Sequence, residues 1–247
     1  MVDWNTDNFM VEWNSKYVST NVKAGARPYD EKMFLEMNSQ LAVLPELQNC
    51  SYAIIAVACC AVGRADIVGR FFDSLTANTE AENSKEIFLR LREAITIVFP
   101  YLGMPTCIPA CYGMIGVVQR KGQDFASTKV LRKPTVDEED ARRGIELRTR
   151  IYKNVGNSEI FVMTWGYLIA KANDEVFLVN ESHLIVASTI MALGATRQTI
   201  SHIKATLGIG NSVTCVKTVM NAIINITYWA DRSILAFDVD QLSKEIQ

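Results

Sequence analysis

The 247-residue chain contains only two histidines, His183 and His202. An imidazole titrates close to neutral pH and can act as general acid or general base. Between them, an apolar run stops at Gly194 and a more polar segment begins at Thr196. If the two segments are helices folded back at the glycine, His183 lies about 12 residues before the turn and His202 about 7 after it. At 1.5 Å rise per residue this offsets the rings by roughly 7–8 Å along the axis, which two side chains turned into one hollow nearly span.

One further polar residue stands near His183, Glu181. Glu181 also suits a structural role, because a carboxylate in the first turn of a helix is favoured by the helix dipole. Glu181 and His183 are two residues apart and point roughly 200° away from each other on a helix, so they cannot hold one metal ion together. The six cysteines include no C-x-x-C pair. Cys59, Cys60 and Cys215 lie in apolar runs and read as small core residues. Cys107 and Cys111 share a helix face between prolines and read as core or pocket lining. No phosphate-cradling glycine loop and no Gly-x-Ser-x-Gly is present. The chain is therefore expected to work without a cofactor and without a metal.

The elements that must position these residues read as helices, since apolar residues recur with helical spacing and strand-like alternation is scarce. In the first half, a helix around Phe34–Leu44 should stop near Pro45, and the apolar run from Tyr52 should end at Gly63. A short helix should follow from Ile67 to Leu75, one from Ile87 should end at Pro100, and one should run from about Pro105 to Gln119. In the second half, helices are expected from Ala141 to Val155, Ser158 to Ala172 and Ser182 to Leu193. Arg197 to Leu207 follows, with Thr196 as N-cap and Gly208 as the residue closing its C-terminus, and Val213 to Trp229 comes last. A shift of 131 residues lays Ile54 on Ile185, Ala56 on Ala187, Ala61 on Ala192 and Gly63 on Gly194. The shared order of elements points to an internal duplication.

The stretch from His183 through Gly194 to His202 resembles the core of the carboxymuconolactone decarboxylase-like (AhpD-like) family, in which a glutamate, an apolar helix, a glycine and a second helix bearing a histidine follow one another. Gly194 and His202 fall on the family glycine and histidine, and His183 falls on the glutamate position. In the first half, the segment Gly63–Phe71 and the Gly-x-Pro at Gly103–Pro105 resemble the same unit, with Tyr52 and Phe71 on the two polar positions. The resemblance implies an all-α protein of two tandem AhpD-like helical repeats. The implied division is an N-terminal extension over 1–30, a first repeat over 31–120, a charged linker over 121–145 and a second repeat over 146–240. It further implies His202 and His183 as catalytic residues, with Glu181, Gln198, Tyr52 and Phe71 around the substrate. The positions of the family's redox cysteines hold Ala195 and Gln198, and Arg64 and Ile67, which argues against dithiol chemistry.

Formal net charge of −2 gives no basic footprint for nucleic acid. The charged stretch from Lys129 to Arg150 mixes both signs and reads as a solvated face or linker. The longest apolar run, Tyr52–Gly63, is too short to span a bilayer, and no secretory signal opens the sequence. The expectation is a cytoplasmic homo-oligomer, dimer or trimer, acting on a small molecule. Its reaction would be that of a cofactor-independent lyase or isomerase (decarboxylation, lactone or ring chemistry, or cyclisation) on a mostly apolar substrate. The alternatives are a non-catalytic scaffold with a relic site and a peroxide-reducing enzyme of the AhpD type.

Overall fold

The computed structural model describes residues 8–153 and 161–246. Among them the regular structure is helical, with no strand. The N-terminal helix α1 (Phe9–Trp13) runs into a π-helical turn (Asn14–Val18), and α2 spans Glu31–Ala42. Then come α3 (Ser51–Ala61), α4 (Val68–Leu75), α5 (Ala81–Leu102) and α6 (Met104–Lys121). The second half holds α7 (Glu138–Tyr152), a π-helical stretch (Val162–Ala170) continuing as α8 (Lys171–Glu175), and α9 (Val179–Ala192). The last three helices are α10 (Thr196–Gly208), α11 (Val213–Trp229) and α12 (Val239–Lys244).

Helices α3 and α9 pack side by side at the centre, flanked by α5 and α11. Their small and β-branched residues bury nearly every face, and one apolar core joins both halves of the chain. Burial on all sides is the reason neither helix shows a polar face in sequence. Local signals fix the ends. Asp30 accepts from the Met33 N–H, and Asp137 and Asp140 close a reciprocal capping box at α7. Ser212 caps α11, and the Glu46 carboxylate from the other half accepts from both its N–H and its hydroxyl.

Several expected boundaries move. α5 passes through Pro100 and ends at Gly103, whose φ of +80° is what reverses the chain. A proline near a helix end removes one hydrogen bond, whereas a left-handed residue terminates the helix. α10 likewise runs through Gly208, and Gly210 (φ +107°) supplies the reversal, with the Asn211 N–H returning to the Thr206 carbonyl. Its N-cap is Ala195 rather than Thr196. Residues 158–160 of the helix expected from Ser158 lie outside the described residues. The N-terminal segment, expected as an extension, inserts Phe9, Trp13 and Val18 against α6, where the Trp13 indole donates to the Tyr112 carbonyl at 2.8 Å.

Two helix crossings depend on glycine. Gly69 of α4 meets Gly113 of α6, and Gly144 of α7 meets Gly166 of the π-helical stretch. A Cβ on Gly166 would stand 1.7 Å from the Asp140 carbonyl oxygen, so the two backbones approach closer there than any side chain allows. This crossing holds the C-terminal turn of α7 and the π-helical stretch over α9.

Candidate functional site

The turn at Gly194 (φ +75°) folds α10 back onto α9 and brings the two imidazoles face to face, with centroids 5.4 Å apart and planes 18° from parallel. The last residue of α7 joins them. The Tyr152 hydroxyl stands 2.7 Å from His202 Nδ1 and 3.0 Å from His183 Nε2. Beyond it, His183 Nδ1 meets the Thr206 hydroxyl at 2.6 Å, one turn after His202 on α10. Trp165 closes the site, stacked on His183 at 6.3 Å and edge-on to Tyr152 at 5.6 Å. The indole sits on the π-helical stretch, whose wider turn departs from ordinary helical spacing. Such segments recur at functional sites.

The surroundings are dry. His183 and Thr206 are fully buried, and His202 keeps 9% of its surface exposed. Burial holds the His183 imidazole well below its usual range, and the facing His202 adds to this. Burial alone takes His202 down to about 4. The Tyr152 phenol is pushed well up by burial and by Tyr101, with the Arg148 guanidinium pulling the other way. Arg148, itself buried, lies one turn before Tyr152 on α7 and packs its guanidinium over the Phe161 ring at 3.8 Å. At neutral pH both rings are therefore uncharged and the phenol keeps its proton.

A neutral imidazole offers one donor and one acceptor, and a phenol has one proton. The chain can then be polarised in two ways. In one, Thr206 donates to His183 Nδ1, His183 Nε2 donates to Tyr152, and Tyr152 donates to His202 Nδ1. In the other, every bond reverses. The two arrangements differ in the tautomer of each ring, and neither places a charge on a ring.

The remaining sequence candidates stand apart. No hydrogen bond or ring contact joins any of them to the imidazoles among the described residues. Glu181 is buried, but its carboxylate turns back to accept from the Leu178 N–H at 2.7 Å, which is the capping role open to it. Gln198 is exposed on the first turn of α10. Tyr52 lies partly buried on α3, and Phe71 is buried on α4 against Phe34, centroids 6.0 Å apart. The six thiols are free, and burial pushes Cys107 and Cys215 up to about 12, which makes them slow nucleophiles. Among the described residues no three His, Cys, Asp or Glu side chains converge as metal ligands. No helix among them is long and apolar enough to cross a membrane.

Tyr152 and Trp165 complete a site that histidine spacing alone outlines. Thr206, four residues after His202, carries a spacing signal that could have found it, whereas Tyr152, 31 and 50 residues from its partners in sequence, carries none. Five cavities that the described residues line, from ≈220 to ≈790 Å³, are bounded by other side chains. No protein-family model matches the chain, and no curated protein is significantly similar to it.

Proposed function

We propose that this protein is a cofactor-independent acid–base enzyme, a lyase or isomerase acting on a small, mostly apolar organic molecule, with His202 as the group that meets substrate. The observation that carries the reading is the bridge of Tyr152 between His202 and His183. An isolated imidazole buried this deeply is a weak base, because its cation is poorly solvated. An imidazole with a hydrogen-bonded outlet escapes that limit, since it can take a proton at one nitrogen and pass one on at the other. That suits reactions in which a proton leaves one atom of the substrate and returns to another, such as double-bond or lactone isomerisation and the protonation that follows decarboxylation. His183 and Tyr152 are then relay partners, and Trp165 is the apolar wall.

A relation to the carboxymuconolactone decarboxylase-like family, as two tandem repeats, belongs to the same proposal. Its support is that α3 and α9 end alike, at Gly63 (φ +79°) and Gly194 (φ +75°). A cytoplasmic homodimer or trimer is part of the reading, and the exposed apolar strip of Met104, Tyr112 and Ile115 on α6 supports the assembly.

One observation favours a second reading, a scaffold with a relic site: the four polar groups satisfy one another, and the cavities named above are bounded by other residues. Incubation in deuterated water with a panel of β-keto acids and unsaturated lactones, followed by NMR, separates the two. The enzyme reading expects deuterium uptake or loss of carbon dioxide with the native protein and none with His202→Ala. No turnover of any member, or equal turnover by both proteins, favours the scaffold.

A further inference from the structure

A cavity of ≈270 Å³, separate from the histidine site, lies where the C-termini of α3 and α11 meet the loop between α1 and α2. Both helices close with the same turn. The Arg64 N–H returns to the Cys59 carbonyl at 2.8 Å after Gly63 (φ +79°), and the Arg232 N–H returns to the Thr227 carbonyl at 2.8 Å after Asp231 (φ +55°). The residue after each left-handed position is an arginine, and both arginines line the cavity. Lys23 and Arg27 reach it from the loop.

The charges there do not cancel. Arg64 holds Asp66 through two hydrogen bonds of 2.9 and 3.0 Å and lies 4.4 Å over the Trp229 ring. Arg27 is paired with Asp231 at 2.8 Å. The Arg232 guanidinium makes one hydrogen bond among the described residues, 3.3 Å to the Ala61 carbonyl. Lys23 has no partner among the described residues. The two helix C-termini together offset at most about one unit of positive charge, so the cavity stays positive in a protein of net charge −2. It is also kept open: a Cβ added at Gly25 or Gly63 would meet nothing within 4 Å.

We propose that this cavity binds a dianionic oxyanion of the phosphate-monoester class. Lys23 and Arg232, which have no carboxylate partner among the described residues, supply the positive charge that recognises it. The guanidinium offers parallel donors to two phosphate oxygens, and the ammonium offers a point charge to the third. The volume holds a phosphate group and a small substituent.

Calorimetric titration in phosphate-free buffer of low ionic strength tests this, with inorganic phosphate, phenyl phosphate and acetate as separate probes. The expected result is one saturable site per chain for a phosphate probe, millimolar or tighter, and acetate weaker by about tenfold or more. Tighter binding of phenyl phosphate than of inorganic phosphate assigns an organic ester, and the reverse assigns the free ion. Lys23→Met and Arg232→Gln should each weaken phosphate binding by about tenfold. Lys23 is exposed and unpaired, so its variant keeps the fold and carries the result even if loss of the Ala61 bond lowers the melting temperature of the other. Absence of saturable heat, equal affinity for acetate, or unchanged affinity in Lys23→Met overturns the proposal.

Discussion

Acidification should destabilise this protein through its two buried histidines. In the unfolded chain an imidazole takes up its proton near pH 6.5, whereas His202 in the fold does so at about 4 and burial holds His183 well below its usual range. Both folded values are depressed, so below pH 6.5 the unfolded state binds more protons. The stabilisation is complete above that pH and is lost as pH falls toward 4. Each histidine contributes a slope of about 1.4 kcal/mol per pH unit, or about 2.7 for the pair. Between pH 6.5 and 5 this removes about 3 kcal/mol, a large share of the roughly 5–15 kcal/mol that holds a domain together. Asp137 and Glu139, held below the usual carboxylate range by Lys133 and Arg142, titrate below this window. Urea unfolding followed by tryptophan fluorescence, at half-unit steps of pH, measures the slope. His202→Gln should lower stability at pH 7.5 and reduce the slope by about one proton. A native unfolding free energy that stays flat from pH 6.5 to 5 would refute the reasoning, because imidazoles kept neutral by burial cannot give that result.

Other perturbations have equally definite outcomes. Tyr152→Phe leaves His183 Nε2 and His202 Nδ1 without their shared partner and should destabilise by about 2–4 kcal/mol in urea. In any turnover found with the substrate panel, the same change should lower kcat by about a hundredfold. Gly166→Ala forces apart the crossing of α7 with the π-helical stretch and should cost about 3 kcal/mol or more by thermal or urea unfolding. Glu181→Ala removes a cap and should cost about 1 kcal/mol. Because its carboxylate is turned to the Leu178 N–H, KM for any processed substrate should stay unchanged, and a large rise in KM would return Glu181 to the substrate site.

The helical class was legible because helical periodicity persists through both halves, and the approach of His183 to His202 because a glycine stop between two such segments leaves the chain few ways to return. What escaped the sequence depended on tertiary packing. Tyr152 ends a charged, surface-facing helix, and nothing local distinguishes it from an ordinary half-buried tyrosine. Trp165 faces His183 because residues 162–170 wind as a π-helix, a departure that residue spacing does not announce. Gln198 was placed by its alignment with the family pattern, and the rotation of α10 that buries His202 turns Gln198 outward. Glu181 had two chemically sound roles, and the geometry of the α9 N-terminus favoured the cap. Pro100 and Gly208 look like stops in one dimension, while the left-handed turns at Gly103 and Gly210 end the helices in three.

The most direct test of the bridged imidazole pair is a titration of the ring nitrogens by nitrogen-15 NMR from pH 7.5 to 4.5, on the native protein and on Tyr152→Phe. Both rings should stay neutral to at least about pH 5, each with unequal nitrogen shifts set by its hydrogen bonds, and loss of the Tyr152 hydroxyl should move both at once. Two independent titrations near pH 6.5, untouched by the tyrosine substitution, would contradict it.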